Sequence, residues 1–250
     1  MSLLIKNPAQ EIENIVSFLQ NKYSDSKTTL GIIAVSGGID SALSLTLLTL
    51  ALGNENVHAV LLPYKSQNMS DAQSIIKHNK IPQANVHEIN IQEVADFIIS
   101  KQHISIKETL RRGNIMARTR MIFLYDLAKK LNTLVCGTEN KSEHYLGYFT
   151  RFGDAASDIE PISHLYKTQV RQLAAHLNLP MAIQTKQPSA GLWEGQTDEL
   201  ELGFTYSQAD QVLAYAIDNH PRPKLPEDII KKVQNRVEQQ AFKRVVPYTK

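Results

Sequence analysis

Four short apolar runs punctuate residues 30–137 of the chain, and between them apolar residues return at helical spacing. Leu30-Gly31-Ile32-Ile33-Ala34-Val35, Val57-His58-Ala59-Val60-Leu61-Leu62 and Thr133-Leu134-Val135-Cys136-Gly137 are nearly continuous, the pattern of strands covered on both faces. Asn85-Val86-His87-Glu88-Ile89 is shorter and more polar, as at a sheet edge. Strands alternating with helices predict an α/β fold, a doubly wound parallel sheet flanked by helices.

The helices have recognisable ends. Gly53 closes the one that begins near Asp40, and Ser70 is placed to cap the one opening Asp71-Ala72-Gln73. Residues 107–131 form a long helical pattern with Met121, Leu124, Ala128 and Leu131 on one stripe; Arg111, Arg112, Arg118 and Arg120 crowd its first half, and Gly113 is a point of interruption. Residues 184–197 contain Pro188, Ser189, Gly191 and Gly195 and too few apolar residues for a periodic face, so they predict a flexible loop. Helices are expected at 207–219 and 227–239, separated by a proline-rich stretch, and the tail 242–250 is expected to be irregular.

Composition narrows the class. The chain has 250 residues, enough for one α/β domain spanning 1–250, and its net charge of +2 gives no field that would draw nucleic acid or a membrane surface. Cys136 is the only cysteine, which excludes an intrachain disulfide and a multi-cysteine metal site and fits a reducing cytoplasm. The apolar stretch from Ala42 to Leu52 is broken by Ser44, Thr46 and Thr49 and is far short of the roughly 20 residues a membrane span needs. It reads as a buried helix.

Chemistry concentrates at Ser36-Gly37-Gly38-Ile39-Asp40-Ser41, where the first strand turns into that helix. Glycines let backbone N–H groups approach an anion, serine hydroxyls add donors, and a helix N-terminus supplies partial positive charge; the junction suits a phosphate or pyrophosphate. It lacks the lysine of the usual phosphate loop, so neutralisation must come from elsewhere, and Asp40 is placed to hold Mg2+. The bland alternative is a glycine turn with an Asp cap.

The hexapeptide in this setting resembles the pyrophosphate loop of the N-type ATP pyrophosphatases, which cleave ATP between its α and β phosphates. Four later segments resemble ammonia-dependent NAD synthetase, in order: Gly113 to Met121, Gly137 to Glu143, Gly147 to Asp154, and Pro188 to Glu199. The resemblance covers essentially the whole chain. It implies the Rossmann-like fold of the adenine-nucleotide alpha hydrolases and the ATP-dependent amidation of deamido-NAD by ammonia through an adenylate. It assigns ATP to Ser36, Gly37, Gly38, Ile39, Asp40, Ser41, Thr138, Lys167 and Ser189, and the metal to Asp40 and Glu143. Arg118, Arg151, Asp158, Phe242 and Lys243 fall on the deamido-NAD side, and Asp40, Lys167 and Asp158 are the expected catalytic residues. Where the family is expected to carry Lys, Thr and His, this chain has Arg151, Ser189 and Phe242; the phenyl ring of Phe242 can only pack or stack.

Arg118 and Arg120 stand on different faces of one helix, so Arg118 is expected at the site and Arg120 at the surface or a subunit contact. Lys167 opens a helix, where a cation opposes the helix dipole unless it answers to a phosphate. Trp193 is either part of a lid over nucleotide or local loop packing. Cys136 lies mid-strand and no glutaminase domain is expected, so the nitrogen source is ammonia, free or delivered. A homodimer is implied, with no nucleic-acid or membrane partner. Two rivals stand: a tRNA-modifying sulfur transferase, which would need reactive cysteines and an RNA surface, and a non-catalytic adenine-nucleotide-binding module.

Overall fold

The computed structural model describes residues 3–189, 195 and 197–248. Pro8–Asp25 forms α1, followed by Gly31–Ala34 (β1), Ile39–Leu52 (α2), Val57–Leu61 (β2), Ser70–His78 (α3), Val86–Glu88 (β3), Gln92–Lys101 (α4), Thr109–Leu131 (α5) and Leu134–Cys136 (β4). Lys141–Leu146 (α6), Lys167–His176 (α7), Met181–Thr185 (α8), Asp198–Leu202 (α9), Tyr206–Ile217 (α10) and Glu227–Gln239 (α11) complete the order.

The strands pair in parallel in the order β3-β2-β1-β4. Alternation along each strand divides the core. Ile33, Val57, Ala59, Leu61 and Cys136 pack with α1, α2 and α7, whereas Ile32, Val60 and Val135 pack with α4 and α5. The sheet is therefore doubly wound, as the apolar runs predict. The polar run is β3, at one edge. At the other, β4 is capped: Val135 accepts from the Asp158 N–H at 2.9 Å, and Gly137 donates to the Ile159 carbonyl at 2.7 Å.

α2 is buried on most of its circumference, from Ile39 to Leu48, and ends at Gly53 (φ 85). Such a helix must be apolar all round, which is why it reads like a membrane segment cut short. α5 runs unbroken through Gly113, which is buried. Its predicted stripe faces the sheet, with Leu124 and Ala128 buried and Met121 and Leu131 packed beside them.

Three local expectations are corrected. Ser70 is the first residue of α3 rather than its cap; Met69 holds the cap position, and the Asn68 side chain accepts the Ser70 N–H at 2.8 Å. The predicted loop starts at Lys186, because α8 extends through Thr185. Pro180 precedes that helix and presets its first turn. The tail opens with a short 3-10 turn, Ala241–Lys243. Gly191 and Trp193 lie outside the described residues.

α6, α10 and α11 build a third apolar cluster around Tyr206, Val212, Leu213 and Val233. It backs the C-terminal ends of β1 and β4. The chain steps outward from β1 to β2 and β3 and then crosses back from β3 to β4 on the other side of β1, so the crevice beyond β1 and β4 is the switch point where α/β sheets take ligands.

Candidate active site

The loop after β1 is held by its own hydroxyls. Ser41 Oγ donates to the Gly38 carbonyl at 3.0 Å and lies 3.1 Å from Ser36 Oγ, and the Gly38 N–H donates to Ser36 Oγ at 3.2 Å. Gly37 has φ +79, and a β-carbon there would meet the Ala72 nitrogen and Asp71 Cβ at 2.9 Å. Only glycine fits, on both counts. The first turn of α2 then presents Asp40 toward the mouth of β4.

There Asp40 meets residues from α6 and α7. Asn140 Nδ2 donates to Asp40 Oδ1 at 2.8 Å, and Lys167 Nζ donates to Asp40 Oδ2 at 2.6 Å and to Glu143 Oε1 at 2.8 Å. Asn140 is also the N-cap of α6, its Oδ1 accepting the Glu143 N–H at 3.0 Å, which fixes Glu143 in the first turn. The Lys167 side chain is 3% exposed and lies over the Tyr206 ring at 5.0 Å. Asp198 is buried beside it and accepts from the Tyr206 hydroxyl at 3.0 Å. Behind the lysine, Ser142 Oγ accepts the Lys167 N–H at 2.8 Å and Asp210 accepts the Thr168 N–H at 2.8 Å, so two side chains satisfy the start of α7.

Burial works against the Lys167 ammonium, but the charges of Asp40 and Glu143 outweigh it and hold its pKa above the ordinary lysine value. Glu143 is pushed up to about 8 by burial first and by the Asp40 charge second, with Lys167 opposing both. The cluster is a buried ion triad with more carboxylate than one ammonium neutralises.

A second group assembles nearby. The Arg118 Nε donates to the Arg151 carbonyl at 3.2 Å, the Arg151 guanidinium lies 5.4 Å from the centroid of Phe242, and Lys243 Nζ donates to the carbonyls of Gly147 at 2.7 Å and Phe149 at 2.9 Å. Arg118, Arg151, Phe242 and Lys243 are thus brought together. Asp158 is not among them: its Oδ2 accepts the Val135 N–H at 2.8 Å on the outer edge of β4. Thr138 lies in the connection after β4, and Ser189 is exposed within the stretch that follows α8.

Arg120 departs from expectation. It is folded inward, its Nε donating to the Leu62 carbonyl at 3.0 Å and its Nη2 to Gln67 Oε1 at 3.2 Å, and burial lowers its pKa. It clamps the turn after β2. Arg118 and Arg120 do take different faces of α5, as their spacing requires, but an inward guanidinium that satisfies carbonyls needs tertiary contacts no local pattern reveals.

Asn140, Asp198, Tyr206 and Glu160 also shape the site without a role assigned from sequence. Asn140 had a local signal, a capping residue three positions before an acid. Glu160 had none. It accepts from Ser157 Oγ at 2.7 Å and from the Glu139 N–H at 3.1 Å, and it occupies the space that a β-carbon at Gly137 would need. Burial, the leading cause, pushes its pKa up to about 8.

Comparison with known proteins gives one consistent answer. The family model described as NAD synthase matches residues 11–247. The NH(3)-dependent NAD(+) synthetase of Fusobacterium nucleatum is 40% identical over 248 residues, covering 95% of this chain and 94% of that protein. Among solved structures, the NMN synthetase of Francisella tularensis superimposes with a TM-score of 0.87 at 33% identity, covering 98% of this chain and 99% of that one. The NH3-dependent NAD synthetase of Campylobacter jejuni, in complex with the nitrate ion, gives 0.82 at 32% over the same shares.

Proposed function

The chain belongs to the NAD synthase family, and from that membership we infer that it is an ammonia-dependent NAD synthetase, converting deamido-NAD, ATP and ammonia to NAD, AMP and diphosphate. The observation that supports the assignment of the chemistry to particular residues is the triad of Asp40, Lys167 and Glu143 standing directly behind the Ser36–Ser41 loop.

A nicotinate carboxylate is anionic and has no leaving group, so ammonia cannot displace its oxygen directly. Attack of that carboxylate on the α-phosphate of ATP expels diphosphate and forms an acyl-adenylate; ammonia then attacks the acyl carbon and AMP leaves. Both steps gather negative charge, and the chain answers with positioned donors rather than a nucleophile. In this reading the Ser36–Ser41 loop takes the pyrophosphate, Thr138 and Ser189 contact the nucleotide, and Lys167 stabilises the phosphoryl transfer. Arg118, Arg151, Phe242 and Lys243 hold the deamido-NAD. Asp158 acts on the same side by fixing the turn beside β4, consistent with its bond to Val135.

Asp40 and Glu143 fit Mg2+. They converge from two helices on one ammonium, which leaves the pair of carboxylates with one negative charge in excess. Two hard oxygen donors, completed by phosphate oxygens and water, are what this cation takes, and it would supply charge neutralisation at the phosphates. The chain functions as one unit over residues 1–250 and as a homodimer, for which the exposed Phe97, Ile106 and Leu110 beside α5 offer apolar surface. Cys136, buried and without a disulfide partner, suits a cytoplasmic setting.

Purified protein with deamido-NAD, ATP, Mg2+ and an ammonium salt should yield NAD, AMP and diphosphate, and chelation of the divalent cation should stop turnover. ADP and phosphate as products would refute adenylation. The likeness to the Francisella protein motivates a parallel arm with nicotinate mononucleotide: faster turnover there would reassign the substrate to the mononucleotide acid.

A further inference from the structure

The Ser36–Ser41 loop has no lysine of its own, and the charge of Lys167 is shared with carboxylates before any phosphate arrives. Its ammonium is buried and already bonded to two carboxylates, with Asp198 close behind. A polyanionic triphosphate reaching this loop meets a further obstacle. Asp71, in the first turn of α3, sits against the loop: its Cβ lies 2.9 Å from where a Gly37 β-carbon would be. A carboxylate there repels phosphate unless something cancels it.

Lys186 cancels it. Its Nζ donates to Asp71 Oδ2 at 2.6 Å, reaching across from the end of α8 to the wall of the loop. Both side chains remain open to solvent, 44% for the lysine and 35% for the acid, so the contact is not a core element of the fold. An ammonium carries three donors and Asp71 uses one, leaving two to face an incoming phosphate. The pair therefore places a solvent-reachable positive group one carboxylate away from Gly37, where the loop lacks one.

We propose that Lys186 is a phosphate-binding residue of the ATP site, held at the loop by Asp71 and donating to the outer phosphates of ATP. The assignment rests on the reading of Ser36–Ser41 as the pyrophosphate loop. Asp71 is a positioning residue: it orients the lysine, and the lysine screens it.

Steady-state kinetics on five variants test this. Lys186→Ala should raise KM for ATP about tenfold, the size of one lost charge-assisted hydrogen bond, with KM for deamido-NAD unchanged. Lys186→Arg should remain within a few-fold of the parent. Asp71→Asn alone should raise KM for ATP less than Lys186→Ala does, since the lysine stays but is less firmly oriented, and adding it to Lys186→Ala should recover part of the loss, since the unscreened anion is then gone. Calorimetric titration with inorganic pyrophosphate should follow the same order. Lys186→Ala with an unchanged KM for ATP, or Asp71→Asn raising it as much as Lys186→Ala does, would overturn the proposal. Ser36→Ala separates the two levels. If it raises KM for ATP while Lys186→Ala does not, only the lysine's role fails; if neither changes it, the loop assignment fails as well.

Discussion

Single side chains in this protein are informative when their surroundings conflict with their chemistry. Glu160 is a carboxylic acid in a nearly enclosed turn, with one backbone N–H and one hydroxyl as partners and no cation bonded to it among the described residues. Its pKa rises from 4.5 to about 8, so the folded protein binds a proton there more tightly than the unfolded chain does. By linkage, the associated stability is present below pH 4.5 and is lost as pH rises toward 8. Glu160→Gln keeps the shape and removes the titration. Thermal melts of this variant between pH 5 and pH 8 should show a flatter dependence than the parent; parallel curves would mean that Glu160 is not the group responsible. Lys167 presents the opposite case, a cation kept charged in a buried site by two acids, which makes it a component of the site and not a surface charge.

At the level of elements, legibility followed period and burial. β1, β2 and β4 were readable because strands buried on both faces are continuous apolar runs, and α2 because a helix enclosed by others has no polar face. α2 joins the loop to the core, so its packing bears directly on the site. Leu45→Ala, at a fully buried position, should cost about 2–5 kcal/mol in urea denaturation. A cost below 1 kcal/mol would show that the neighbouring residues collapse into the space. Boundaries were less legible. Ser70 has the right side chain for a cap, but Asn68 already satisfies the backbone N–H of Ser70 through its own turn, and the helix starts one residue early. The candidate site was legible where it resembled a family and illegible where long-range packing decides. Asp40, Glu143 and Lys167 meet across more than a hundred positions, and nothing local to Asp198 or Tyr206 places them against that lysine.

For the whole molecule, the sheet separates two apolar layers, and the cluster around α10 and α11 supports the far side of the crevice. The crevice is therefore walled by parts of the chain that are distant in sequence, and it forms only when both layers have closed. The apolar residues left outside these layers near α5 motivate the homodimer. Light scattering should return twice the chain mass of 28.1 kDa, and Leu110→Glu should shift it toward the monomer. A monomer at micromolar concentration in the parent protein would refute this.

The capped outer margin of β4 limits how such copies can meet. Backbone groups of Val135 and Gly137 that would otherwise solicit a foreign strand are already engaged by the segment around Asp158 and Ile159. Growth of the sheet from one molecule into the next is shut off on that side, so the crevice-bearing half is shielded from strand-to-strand aggregation and any self-association there has to be made of helices.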